Sequence, residues 1–245
     1  MPTFAKKIER MTSKNIRQQI SGFESGRVFR VEDLGLLRTE QQAAVVTLGR
    51  LVQQGEIQRL SPGNYYKPKK TAFGVVGPSL EDRFRDLLYD KDTPVAYLTG
   101  LYAFNLLGLT TQQPTVLEIG SNFPQRGKTR GIYTVRFVLQ KNPITADNIE
   151  MLRVLDSLKW IKKIPDTTVD SSYTLLKELV GGYTKAQQAV LVELSMKYSP
   201  LTRALLGSML TDDKLSSKLS QSLSPLTRFS VGFSSVQIPN EWNIQ

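Results

Sequence analysis

The sequence predicts an α+β chain that is mainly helical. Apolar residues recur at helical spacing along most of its length, a few short runs alternate or cluster as strands, and strong turn chemistry separates them. Across residues 28–70 the order is short helix, turn, amphipathic helix and basic two-stranded hairpin, which predicts an N-terminal winged helix-turn-helix. The remainder predicts a larger helical domain with a small antiparallel sheet, so the domains are 1–70 and 71–245.

Residues 3–20 carry Phe4, Ile8, Met11, Ile16 and Ile20 in a helical rhythm among basic side chains. Thr3 is the expected N-cap, with Ser13 as the start of a possible second segment. Gly22 and Gly26 end the helix and allow a turn. Val28, Phe29 and Val31 form a short extended piece, and residues 32–35 a helical turn closed by glycine. Thr39 opens the next helix as N-cap, with Gln42 in capping-box position. Ala44, Val45, Leu48, Leu51 and Val52 share its inward face. Gln42, Ala43, Val46 and Arg50 lie opposite, with Thr39 and Gln41 at the amino-terminal end. Gln pairs with adenine and Arg with guanine, and Val touches a thymine methyl, so this face suits a major groove. A solvated helix face tolerates the same residues, so the helix alone does not decide.

The next residues do. Gly55 stops the helix, residues 56–60 alternate as an edge strand, Ser61-Pro62-Gly63-Asn64 makes a turn, and Tyr65-Tyr66 resumes an extended run. Arg59, Asn64, Lys67, Lys69 and Lys70 are candidates for phosphate or minor-groove contacts, which position a protein without reading sequence.

Residues 71–78 (TAFGVVGP) read as a connector. Residues 79–89 predict a short helix begun by Pro78-Ser79, with Asp82 placed as in a capping box. Residues 94–107 predict a helix apolar almost all round, ended by Gly108 and suited to the centre of a core. Two strand-like runs, 115–119 and 132–139, flank a basic loop with Arg126, Lys128 and Arg130, and a hairpin is their simplest arrangement. That loop is a contact for nucleic acid or a partner, or a solvated surface. Thr145 caps a helix to about residue 162, with Ile149, Leu152, Leu155 and Leu158 inward and Pro165 beyond its end. Further helices are expected at 171–180, 184–198, 200–210 and 214–223. SPLTR occurs twice, at 199–203 as a helix start and at 224–228 ahead of a strand-like run at 229–233.

The 245 residues are 40% hydrophobic and 22% charged, which argues against wholesale disorder. Cys and His are both absent. That excludes Cys/His zinc sites, thiol nucleophiles, imidazole bases and the serine–histidine–aspartate triad. Gly181-Gly182 reads as a helix break, and Asp166, Asp170, Asp212 and Asp213 lack the partners a metal site needs. No cofactor and no enzymatic activity are expected. The net charge is +10, and residues 1–70 hold 13 Lys+Arg against 6 Asp+Glu, so a polyanionic partner is expected there. No signal peptide and no apolar run of about 18 residues is present, so a cytoplasmic protein is expected.

Several stretches together resemble one family. VFRVEDL, AAVVTLGRLVQQGEIQRLSPGNYYKPK, AYLTGLYAFNLLGLTTQQPT, LDSLKWIKKIPDTTVD, YSPLTRALLGSML and SPLTRFSVGFSS with the terminal WNI are similar to AbiEi-type antitoxins, regulators of abortive-infection (phage-defence) toxin–antitoxin operons. The resemblance implies a type IV antitoxin. Its winged domain would bind double-stranded operator DNA and repress its own operon. Its second domain would neutralise a nucleotidyltransferase-like toxin, typically without a stable complex. The DNA-facing positions it implies are Thr39, Gln42, Val46 and Arg50 on the helix, and Arg59, Asn64 and Lys67 on the wing. The competing reading is a ligand-responsive winged-helix transcription factor unrelated to any toxin.

Overall fold

The first helix, α1 (Phe4–Ser21), runs unbroken through Ser13, which starts no second segment. The computed structural model describes residues 4–72 and 74–244, with residues 4–12 and 70 described by their backbone alone; Thr3, the expected N-cap, lies outside them. The chain is α+β and mainly helical, and divides into two compact units, Met1–Leu87 and Leu88–Gln245.

In the first unit β1 (Val28–Arg30) leads into a 3-10 turn, Glu32–Leu34, which Gly35 closes at φ 61°. Only glycine takes that backbone conformation without a steric cost. Next come α2 (Gln41–Gln53), β2 (Gln58–Ser61) and β3 (Asn64–Tyr66). The strands form an antiparallel sheet in the order β1-β3-β2, with Phe29 opposite Tyr65 on one side of β3 and Arg59 opposite it on the other. Ile16 and Ile20 of α1, Leu34, Ala44, Leu48 and Leu51 of α2, Ile57, Phe29 and Tyr65 close around one core.

Two details of α2 differ from expectation. The helix starts at Gln41, so Thr39 is not its N-cap and no capping box forms with Gln42. Instead the Glu40 carboxylate accepts the Leu37 amide at 3.1 Å and the Glu40 amide donates to the Leu37 carbonyl at 2.9 Å, a tight turn that takes up the residues before the helix. Val45 is also not inward. It is 52% exposed, and Thr47 takes the buried place. Thr47 can do so because its hydroxyl donates to the Ala43 carbonyl at 2.8 Å and meets Ser13 Oγ at 2.9 Å.

The expected connector at 71–78 is partly a second hairpin, β4 (Lys69–Thr71) with β5 (Gly74–Val76), turned through Gly74 at φ 120°. The Ser79–Asp82 capping box is present, with the Asp82 amide donating to Ser79 Oγ at 3.0 Å. The helix it begins is split at Phe84 into α3 (Leu80–Arg83) and α4 (Arg85–Leu88).

The second unit departs further from the pattern read in the sequence. After the small ladder of β6 (Tyr89–Asp90) and β7 (Thr93–Pro94), the apolar run expected as one helix is a strand and a helix: β8 (Ala96–Thr99), then α5 (Leu101–Leu106). Gly100, at φ 62° and ψ −134°, makes the corner. All four β8 residues are buried, so a strand covered on both faces has the same continuous apolar signature as a buried helix. The runs expected as a hairpin, β9 (Val116–Ser121) and β11 (Tyr133–Leu139), pair in parallel. The chain leaves β9, skips one position, runs back as β10 (Lys128–Arg130), and returns as β11 into the gap. The sheet order is β10-β11-β9-β8, so the sheet is mixed rather than antiparallel.

Helices pack on this sheet. Asn148, not Thr145, sits at the N-cap of α6 (Ile149–Lys159). Its amide clamps the preceding turn, accepting the Thr145 N–H at 3.0 Å and donating to the Pro143 carbonyl at 2.8 Å. Leu152, Leu155 and Leu158 are fully buried at the centre of the larger core. Helices α7 (Val169–Gly181), α8 (Lys185–Ser195), α9 (Pro200–Gly207) and α10 (Asp213–Gln221) follow, capped by Thr168, Thr184, Ser199 and Asp212. Residues 229–233 form no strand, only a single bridge between Phe229 and Ile244. The Phe229 amide donates to the Asn243 carbonyl beside that bridge, and the amides of the following Ser234, Ser235 and Val236 all go to the Asp170 carboxylate. No helix among the described residues is long and apolar enough to cross a membrane.

Candidate nucleic-acid interface

Among the described residues, helix α2 is held from one side. Its buried residues Ala44, Thr47, Leu48 and Leu51 follow the spacing i, i+3, i+4, i+7, and α1 and the sheet close over that face. Two polar ties fix the register of α1 against α2 and the turn after it. The Ser13–Thr47 contact is one, and Arg17 supplies the other by donating to Gln54 and pairing with Glu56 at 3.5 Å.

The opposite face is open. Gln42, Val46, Gly49, Arg50 and Gln53 are exposed, with Val46 at 48%. Among the expected site residues, Gln42, Val46 and Arg50 therefore share one stripe, while Thr39 is exposed in the turn two residues before the helix. An amide, a branched methyl surface and a guanidinium spaced four residues apart present hydrogen-bonding and apolar contacts along one line.

The β2–β3 hairpin turns at Pro62-Gly63. Proline fixes φ near −65° and Gly63 supplies φ 77°, the pattern of a type II turn. The register shift between Arg59 and Ser61 absorbs the mismatch between such a turn and the strand twist. Arg59 is exposed on β2. Asn64 is engaged in the turn: its amide donates to Ser61 Oγ at 2.7 Å and the Pro62 carbonyl at 3.3 Å, and its carbonyl accepts from Arg30 Nε at 2.9 Å. Arg30 in turn meets Asp86 at 3.1 Å. Lys67 is also engaged, its ammonium donating to the carbonyls of Ser21 and Phe23 at 2.7 and 2.8 Å, just past the end of α1. The structure thus brings Gln42, Val46 and Arg50 together, leaves Arg59 on the hairpin, and gives Asn64 and Lys67 intramolecular partners that their residue types did not reveal.

A polar centre in the second unit was not expected from the sequence. The Asp156 carboxylate accepts from Tyr97 at 2.7 Å, Thr99 at 2.7 Å and Tyr198 at 2.9 Å. Gln140 donates to both tyrosine hydroxyls at 2.8 Å, and its own carbonyl oxygen accepts the Asn142 amide at 2.9 Å. Burial raises the Asp156 pKa, while the Thr99, Tyr97 and Tyr198 hydrogen bonds pull it back. Both phenols are pushed above their ordinary value, by burial first and by the Asp156 charge second. One signal was present: Asp156 lies four residues after Leu152, on the inward face of α6. Asp170 behaves in the opposite way, since the Ser234, Ser235 and Val236 amides hold it well below the usual carboxylate range. No group of three or more acidic residues that could hold a metal ion occurs among the described residues.

Comparison with known proteins gives a family and a fold. A family model described as "Family of unknown function (DUF6088)" matches residues 15–179. No curated protein matches the chain. Among solved structures it is similar to the crystal structure of the RV2827C protein from Mycobacterium tuberculosis, with a TM-score of 0.53 and 13% identity over 100% of this chain and 91% of that one. At that identity the likeness concerns the fold alone.

Proposed function

This chain belongs to the DUF6088 family, whose function is unknown, and we propose that it is a winged-helix DNA-binding autorepressor serving as the antitoxin of a type IV toxin–antitoxin system. The observation that carries the DNA-binding part is the open stripe Gln42, Val46 and Arg50 on a helix braced from behind, with the hairpin bearing Arg59 on the same core. In this reading α2 enters the major groove of operator DNA and the β2–β3 hairpin is the wing. The basic excess of residues 1–70 supplies the sequence-independent attraction. The antitoxin part rests on the resemblance of motifs to AbiEi-type antitoxins, and it assigns neutralisation of a nucleotidyltransferase-like toxin to the second unit.

Binding of the full chain to the DNA upstream of its own operon, measured across a salt series, tests the reading. Affinity should fall linearly in log–log form as salt rises. Arg50→Ala should cost about 1–3 kcal/mol on the operator and far less on random DNA. Two neutral carbonyls hold the Lys67 ammonium but leave its charge and a third N–H, so Lys67→Ala should weaken binding to all sequences, reduce the salt slope by about 1 and also lower the melting temperature. Equal losses on both DNAs would remove Arg50 as a base reader, and absence of operator binding would remove the DNA-binding reading altogether.

A further inference from the structure

The second unit carries a groove of about 260 Å³ lined by Leu101, Phe104, Glu118, Trp160, Lys163 and Pro165. The side chains are brought there by several parts of the fold. Phe104 comes from α5, Glu118 from the middle of β9, and Trp160 from the C-cap of α6. Lys163 ends the 3-10 turn that follows. Two ammonium groups stand over the Trp160 ring, Lys163 at 4.2 Å and Lys159 at 5.0 Å from its centroid. The half-buried Glu118 carboxylate reaches over the backbone of Gly100, where a Cβ would come within 1.9 Å of Oε2. It makes no hydrogen bond or ion pair with any described residue. The corner that permits this is the same Gly100 that ends β8.

Aromatic side chains, two cations over the Trp160 ring and an unengaged carboxylate in one groove call for a ligand with three matching parts. These are a planar ring, a pair of N–H donors on one edge, and a negative charge on the far side. We propose that this groove binds a guanine nucleotide, with the base against Trp160 and Phe104, its N1–H and N2–H₂ donating to the two oxygens of Glu118, and the phosphates at Lys159 and Lys163. A carboxylate only accepts hydrogen bonds, and it accepts two parallel ones best. Guanine offers two adjacent donors on that edge, whereas adenine offers a donor beside an acceptor and leaves one Glu118 oxygen facing a lone pair. The groove volume suits a base rather than a whole nucleotide, which puts the phosphates at its mouth beside the lysines.

The chain has two tryptophans, and Trp242 is buried against Gly207, so Trp160 reports on the groove by fluorescence. Titration of the full chain with GTP, ATP, guanosine and inorganic pyrophosphate, confirmed by equilibrium dialysis, gives the test. GTP should quench Trp160 and bind at least about tenfold more tightly than ATP. Glu118→Gln, which keeps the shape of the side chain, should abolish that preference. Lys163→Gln should weaken GTP while leaving guanosine unchanged. Equal binding of GTP, ATP and pyrophosphate, unaltered in Glu118→Gln, would mean a bare lysine–phosphate contact and overturn the assignment. Failure of guanine nucleotides to bind at all would overturn it as well.

Discussion

Asp156 places a carboxylate among buried side chains, and three hydroxyls, two from β8 and one from the turn between α8 and α9, converge on it. Taking a charge out of water costs several kcal/mol unless it is hydrogen-bonded on all sides. Thr99, Tyr97 and Tyr198 supply that satisfaction, and burial still leaves the carboxyl pKa raised. A carboxyl whose folded pKa lies above its unfolded value contributes stability that is full below the unfolded value and is lost as pH rises through the folded one. Unfolding free energies of Asp156→Asn measured from acid to neutral pH should therefore lack a decline that the wild type shows. Asp156→Ala, which leaves buried hydroxyls short of an acceptor, should cost about 1–3 kcal/mol at acid pH and less as pH rises. A variant with the wild-type pH profile would remove Asp156 from this role. The same lesson holds for Lys67, whose composition-level meaning is a phosphate contact and whose observed partners are two backbone carbonyls.

Among the elements, the β8–α5 corner shows how one residue divides an apolar run. Residues 96–107 contain the periodic apolar content of a helix, yet the first four join the sheet beside β9. Gly100 enables the switch through φ 62° and through the space it leaves for Glu118. Gly100→Ala brings both a disfavoured backbone conformation and a collision, although the colliding carboxylate is the far end of a flexible side chain and can swing away. The backbone cost remains, about 1–3 kcal/mol, and should appear as a lower denaturant midpoint with unchanged slope. An unchanged midpoint would show that the corner tolerates a side chain. By contrast α7, α8 and α9 begin as their local sequences require, through Thr168, the Thr184–Gln187 box and Ser199-Pro200.

For the whole molecule, the proposed division of labour assigns operator binding to the first unit and toxin neutralisation to the second. Co-expression of the full chain with the neighbouring gene checks it. On this proposal Arg50 acts in DNA reading, so growth rescue should survive Arg50→Ala, and loss of rescue with that variant would contradict the division. How far the sequence reached follows from the range of the forces involved. The Ser79 and Ser199 caps, the amphipathic stripe of α6 and the Pro62-Gly63 turn depend on neighbours within about four residues, so the residues themselves specify them, whereas Thr39 and Thr145 lose their expected cap positions to Glu40 and Asn148. The open face of Gln42, Val46 and Arg50 belongs to this class, because a helix with one apolar stripe must present the other. Parallel pairing of β9 with β11, the strand character of β8, the displacement of Val45 by Thr47, and the hydroxyls around Asp156 depend on groups 18 to 59 residues away. Such contacts leave little local trace, since hydrogen-bonding partners and burial are assigned only when distant segments meet. The sequence by itself determined most of the helices, the Ser79 and Ser199 caps and the outward stripe of α2, while tertiary structure alone decided which apolar run became sheet, which residues capped α2 and α6, and where the buried polar groups found their partners.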